Sequence, residues 1–249
     1  MSNHQHLINE LESQHDAKVI VTKERSYPMF TTMIHYYPII KTPMDILMKM
    51  MLIAFQKAPI KAPNVLANIL LVEPLFIEDL TSKMVVANLI VQEENEPYQL
   101  TAKGFAQLQA GIFEERLELV SEEVYYSAIH ETILQGDVEK VFELEDIPAP
   151  IEYASEEIES IHETNVMEAL QHLMNAYQLE DEDDKPQTFI TAIDGYEVGS
   201  IQDMPMVIFV LKETGTERLF ARVYNQYTGA WDDELTQFVT DHEKLTWKR

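Results

Sequence analysis

The chain has 249 residues, 46 % of them hydrophobic, with 43 acidic against 18 basic side chains and a formal net charge of −25. That length and apolar content fit two modest domains and exclude a disordered chain. The absence of cysteine excludes a disulfide scaffold, cysteine-ligated zinc and a thiol nucleophile.

The amino-terminal stretch MSNHQHLINELESQHD is polar and lacks a basic segment leading into an apolar one, so no secretory signal is expected. Residues 7–24 predict a helix followed by a strand, because VIVT is β-branched. The aromatic, proline-punctuated run SYPMFTTMIHYYPIIKTP predicts extended segments and turns.

Residues 44–56, MDILMKMMLIAFQ, predict a helix with Thr42 as its cap and Pro43 in its first turn. Ile46, Met50, Ile53 and Ala54 share a face. The segment is apolar nearly all round, which predicts burial, with its methionines as core filler. KAPIKAP breaks that helix. NVLANILLV predicts a short second helix capped by Asn64. Residues 75–90 predict a third, held by Ile77, Leu80, Met84, Val85 and Leu89 at helical spacing. LIVQEENEPYQL alternates as two strands around an acidic tip, and Thr101 is placed to cap a fourth helix reaching to about residue 120.

Three helices, a hairpin and the return Tyr98-Gln-Leu-Thr101-Ala-Lys-Gly104 resemble the winged helix-turn-helix domains of MarR-like and PadR-like bacterial regulators. The resemblance covers residues 42–112, under a third of the chain. It implies that the third helix and the wing form the contact surface, as they do on DNA in members that read it. The residues at those places are Glu78, Asp79, Thr81, Ser82 and Lys83, then Gln92, Glu93, Glu94, Asn95 and Glu96 beside Tyr98. Phosphate contacts need cations. Five carboxylates against one lysine depart from the family pattern and favour a protein partner over DNA. Lys57, Lys61 and Lys83 are the bases that could favour DNA instead.

Residues 111–186 hold 22 acids and three bases, most of the excess charge. A field of that sign repels nucleic acid and anionic membranes and attracts basic partners. Residues 121–146 and 155–181 read as helical. Both contain Ser-Glu-Glu and Ile-His-Glu-Thr, an echo too irregular for a known repeat. Glu159-x-x-His162 has the spacing of a carboxylate-bridged di-iron helix but lacks the matching second motif, so no metal is expected. His130 and His162 read as core or boundary histidines making one hydrogen bond. LEDEDDKP reads as a solvated linker without an EF-hand's glycine and distal glutamate.

From Gln187 the pattern turns to strands: QTFITAI, MVIFVLKE and ERLFARVYNQ. A hairpin loop is expected at Gly215, a turn at Thr228-Gly229, a helix from about Asp232, then a last strand. Tyr224, Tyr227, Trp231 and Trp247 read as core aromatics. Asp232, Asp233 and Glu234 read as charges at a helix start.

The expectation is an α+β chain in four parts: an extension (1–41), a winged-helix-like domain (42–112), an acidic helical region (113–186) and a small α+β domain (187–249). No phosphate loop, nucleophile elbow or other catalytic signature occurs. No catalytic residue, cofactor or metal is therefore assigned, and no membrane contact is expected. The expected role is a cytoplasmic, bacterial, non-catalytic adaptor or regulator that binds a protein through Glu78, Asp79, Ser82, Lys83, Glu93, Glu94, Asn95, Glu96 and Tyr98, with self-association left open. The alternatives are a MarR/PadR-type transcription regulator and an acidic inhibitor of a toxin or nuclease.

Overall fold

A computed structural model describes residues 4–142, 146–180 and 187–247. The elements in chain order are α1 (Gln5–Gln14), β1 (Ala17–Pro43), α2 (Ile46–Lys57), α3 (Asn64–Leu70), α4 (Pro74–Val86), β2 (Ile90–Val91), β3 (Gln99–Leu100), α5 (Ala102–Ala110), β4 (Ile112–Arg116), β5 (Val120–Ser127), β6 (Thr132–Ile133), α6 (Val138–Phe142), α7 (Glu163–Glu180), β7 (Thr188–Glu213), β8 (Leu219–Asn225), β9 (Ala230–Asp232) and α8 (Asp233–Glu243). The class is mixed α+β, as expected. Of the acidic linker LEDEDDKP, residues 181–186 lie outside the described residues. Among the described residues, no helix is long and apolar enough to cross a membrane.

The chain forms two compact units from interleaved segments. One comprises residues 1–35, 121–170 and 193–249, the other residues 36–120 and 171–192. In the first, strands lie in the order β6-β5-β1-β7-β8-β9. Met206–Lys212 of β7 pair antiparallel with Leu219–Asn225 of β8. This part of β7 is buried on both faces. Met204, Met206 and Ile208 point into a cluster with Leu235 and Val239 of α8. Val207, Phe209 and Leu211 point into another with Leu7 and Leu11 of α1. Burial on both sides accounts for the unbroken apolar run MVIFVL, since a strand with one solvated face would alternate. Gly215 (φ 77°) and Gly229 (φ 69°) occupy left-handed positions in the expected turns. Residues 244–247 are turn rather than a last strand. Tyr227 is buried, and Tyr224 meets Trp231 edge-on at 5.3 Å.

The second unit holds α2 to α5, the β2–β3 hairpin and the end of β1, where Ile39–Pro43 pair antiparallel with Ile112–Arg116 of β4. Its core comprises Met48, Met51, Leu52 and Phe55 of α2, Leu66 of α3, Ile77, Leu80 and Met84 of α4, then Leu89, Ile90, Leu108 and Phe113. Burying each such side chain stabilises by about 1.5–3 kcal/mol. Of the apolar stripe expected on the third helix, Ile77, Leu80 and Met84 are packed, Leu89 is buried just beyond the helix end, and Val85 is exposed.

Several local expectations are corrected. Thr42 and Pro43 end β1, and Asp45 caps α2, its carboxylate accepting from Leu47 N (2.8 Å) and Met48 N (3.3 Å). Ile46, Met50 and Ile53 are exposed, so the all-round apolar pattern of α2 did not mean all-round burial. Asn64 is the first residue of α3, and the cap position is Pro63. α5 stops at Gly111 (φ 68°), a left-handed carboxy-terminal glycine. Residues 112–133, expected to be helical, are instead the strands β4, β5 and β6 and their connections. In β5, Val124 and Tyr126 are buried while Glu123 and Tyr125 are less so, the period-two alternation of a strand. The two Ile-His-Glu-Thr copies fold differently: one runs from the turn after β5 into β6 at Thr132, and the other opens α7 at Glu163.

Candidate interaction surface

The return Tyr98–Gly104 is held by Thr101 and Gly104 together. Thr101 Oγ1 accepts from Gly104 N at 2.9 Å and donates to Asn88 O at 2.6 Å, tying the start of α5 to the end of α4. A Cβ on Gly104 would lie 1.9 Å from Leu89 O, so only glycine allows this approach.

The hairpin tip is tied down as well. Gln92 Nε2 donates to Lys61 O and Glu96 O, both at 2.9 Å, and Lys61 Nζ donates to Asn95 O at 2.7 Å. Asn95 has φ 64°, a conformation asparagine tolerates. Glu93, Glu94, Asn95 and Glu96 are exposed on this tip. Tyr98 is half-buried and rests against Phe55, ring centres 5.2 Å apart, so it braces the hairpin more than it faces solvent.

On α4 the structure exposes Glu78, Asp79, Ser82 and Lys83. Thr81 is buried, its hydroxyl bonded to Ile77 O at 2.7 Å, which removes it from the expected face. Ser82 Oγ donates to Glu78 O at 2.9 Å. Lys83 Nζ lies 3.4 Å from Glu115 Oε1 and 5.1 Å from the Phe113 ring centre. The one cation on α4 is thus already matched by a carboxylate, and Lys61 is bound to the hairpin.

Sequence reasoning missed the apolar side chains at the α3–α4 corner. Ile69 (66 % exposed), Leu71 (91 %), Leu75 (75 %) and Phe76 (52 %) stand in solvent within eight residues of chain. Helical spacing places Leu75 beside Glu78 and Asp79, and Phe76 beside Asp79. The signal was present as the run ILLVEPLF, but an apolar run by itself reads as core.

A second polar constellation lies in the other unit. Ser127 Oγ is 2.6 Å from His130 Nδ1, and His130 Nε2 is 3.0 Å from Asp232. His130 therefore bonds through both ring nitrogens, not the single bond expected. Ser127 is fully buried, so its hydroxyl is closed to a substrate in this conformation. Asp232 also caps α8 through Leu235 N (2.9 Å) and accepts from Asn225 Nδ2 (2.8 Å). His130, Asp232 and Glu234 bring potential metal-ligating atoms within 4.8 Å of one another, but the His130–Asp232 bond would have to open to admit an ion. Glu159-x-x-His162 precedes α7 and has no helix beneath it, so the di-iron spacing has no common face.

No family model, curated protein or solved structure matches the chain.

Proposed function

We propose that residues 42–112 are a winged-helix module that binds a protein, in a non-catalytic adaptor or regulator of acidic character. The reading rests on the resemblance of the Tyr98–Gly104 return and on the succession of three helices, a hairpin and a fourth helix. The observation that carries it is the chemistry of the exposed face of α4 and of the hairpin tip. The α4 surface carries Glu78 and Asp79 beside bare apolar side chains, its lysine is paired to Glu115, and the hairpin tip carries Glu93, Glu94 and Glu96. A duplex would meet repulsion there, whereas exposed apolar groups rimmed by charge are what protein interfaces use.

The test is capture from the native host with the tagged chain, with and without nuclease, beside a variant carrying Glu78→Lys, Asp79→Lys, Glu93→Lys and Glu94→Lys. The expected result is a stoichiometric protein that survives nuclease and high salt and is lost from the variant. Nucleic acid alone, released above about 200 mM salt, would support the transcription-regulator reading instead.

An acidic inhibitor is the second reading. A recess of about 190 Å³ is lined by Tyr126, Glu131, Glu157, Glu159 and His162, an environment suited to a basic side chain of a partner. Charge reversal at Glu157 and Glu159 that abolishes capture, with the α4 variant silent, would favour it.

A further inference from the structure

We infer that the α3–α4 corner is a docking site for one chemistry of partner, an amphipathic helix with an apolar stripe flanked by Lys or Arg. This rests on the protein-binding reading above and names the partner's chemistry.

The argument begins at Leu71. This residue closes α3 in the left-handed conformation, φ 55° and ψ 43°. A side chain is disfavoured there, and glycine is the residue that occupies it without cost. Burial of Leu71 would offset that cost, but its side chain is almost wholly solvated. The backbone asks for no leucine either. Val72 N reaches Ala67 O at 3.1 Å, and Leu71 N closes on the same carbonyl, bonds any residue could make. Neither local conformation nor packing within the chain accounts for a leucine at this position. Strain held at an exposed residue is a mark of a functional contact.

Leu71 does not stand alone. Ile69, Leu75 and Phe76 are exposed beside it in the same corner, where α3 packs against α4. Glu73, Glu78 and Asp79 are exposed around them. The corner is therefore apolar at its centre and negative at its rim. An apolar stripe at i, i+3 or i+4, and i+7 would cover Leu71, Leu75 and Phe76, and flanking cations would meet the three carboxylates. An acidic helix would be repelled. So would a second copy of this chain, which carries the same rim.

The test uses the full chain and a fluorescein-labelled 18-residue peptide with leucine at helical spacing and lysine elsewhere. A scrambled peptide of identical composition and an acidic counterpart with glutamate for lysine serve as comparisons, read by fluorescence anisotropy. The amphipathic basic peptide is expected to bind at least ten-fold more tightly than either. Leu71→Gly is expected to raise Tm and to weaken binding ten-fold or more, because it removes both the strain and the contact. Glu78→Lys with Asp79→Lys is expected to weaken binding without lowering Tm. Met50→Ser, on the exposed face of α2, is expected to leave it unchanged.

Equal binding of the scrambled peptide would show mere charge attraction and overturn the proposal. So would unchanged binding by Leu71→Gly, or a lower Tm for that variant. Flotation with phosphatidylcholine vesicles that Leu71→Gly abolishes, without peptide binding, would assign the corner to a lipid surface and overturn it too. These outcomes are separate from the failure of the protein-binding reading, which would be recovery of nucleic acid alone in the capture experiment.

Discussion

His130 Nε2 lies 3.0 Å from both carboxylate oxygens of Asp232, although the two residues stand 102 positions apart in the chain. The pair is buried, and it joins the segment after β5 to the start of α8. Asp232 also accepts from Asn225 Nδ2, and that amide donates in turn to the Tyr27 hydroxyl at 2.8 Å. Removing one partner leaves the other desolvated without compensation. Asp232→Ala is expected to cost about 3 kcal/mol or more of unfolding free energy, measured by urea denaturation.

The acid dependence of that pair has a definite sign. Burial pushes the Asp232 carboxyl upward, but hydrogen bonds from His130, Leu235 and Asn225 and the His130 charge outweigh it and hold it below the ordinary aspartate range. A carboxyl depressed in the fold contributes stability above its unfolded value and loses it as pH falls through the folded one. The stability difference between the native chain and Asp232→Asn is expected to shrink as pH falls below about 4. Denaturation curves from pH 3 to 7 check this.

Ser127 belongs to the same network, and its fully buried hydroxyl predicts chemical silence. A fluorophosphonate probe is expected to leave the native chain unlabelled. Ser127→Ala is expected to cost about 1 kcal/mol through the lost bond to His130. Stoichiometric labelling at Ser127 would reopen a nucleophilic role.

Gly104 carries a sharper structural prediction. Glycine to alanine inside a helix usually stabilises by roughly 0.5–1 kcal/mol. Here the added methyl would meet the Leu89 carbonyl, which cannot swing away as a side chain can. Gly104→Ala is expected to destabilise by about 2 kcal/mol or more, seen as a lower Tm.

At high pH the buried tyrosines dominate. Desolvation raises Tyr27 and Tyr153 well above the usual phenol range and Tyr227 to about 12. In the unfolded chain these phenols ionise near their ordinary value of about 10. Their stability contribution is complete below that pH and is lost as pH rises above it. Tm is expected to fall steeply between about pH 10 and 12, with phenolate absorbance rising together with unfolding.

Parts of this fold were legible because the signal is local. Thr101 as a cap, the turns at Gly215 and Gly229, and the buried stripe Ile77, Leu80 and Met84 each follow from neighbours a few residues away. The strands of 112–133 were not legible. Glutamate-rich segments such as IFEERLELV favour helix locally, yet the partner of β4 is the end of β1, about 70 residues upstream. Gly111 was the available warning, since a left-handed glycine ends a helix. The candidate site divided the same way. The acidic residues of α4 and the hairpin were identified from their order in the chain, whereas the apolar corner was not.

The sequence alone determined the charge excess, the helix-hairpin-helix succession of residues 46–110 and the amphipathic stripe that packs α4. These depend on spacing and side-chain chemistry within one segment. Tertiary structure decided which segments share a unit, because strand pairing joins residues remote in sequence. It also decided that Ser127, His130 and Asp232 meet, and that Leu71 stands in solvent while Leu66, five residues earlier, lies buried. Leucine has the same hydrophobicity at both positions. Only the packing of α3 against its neighbours determines which of the two is removed from water.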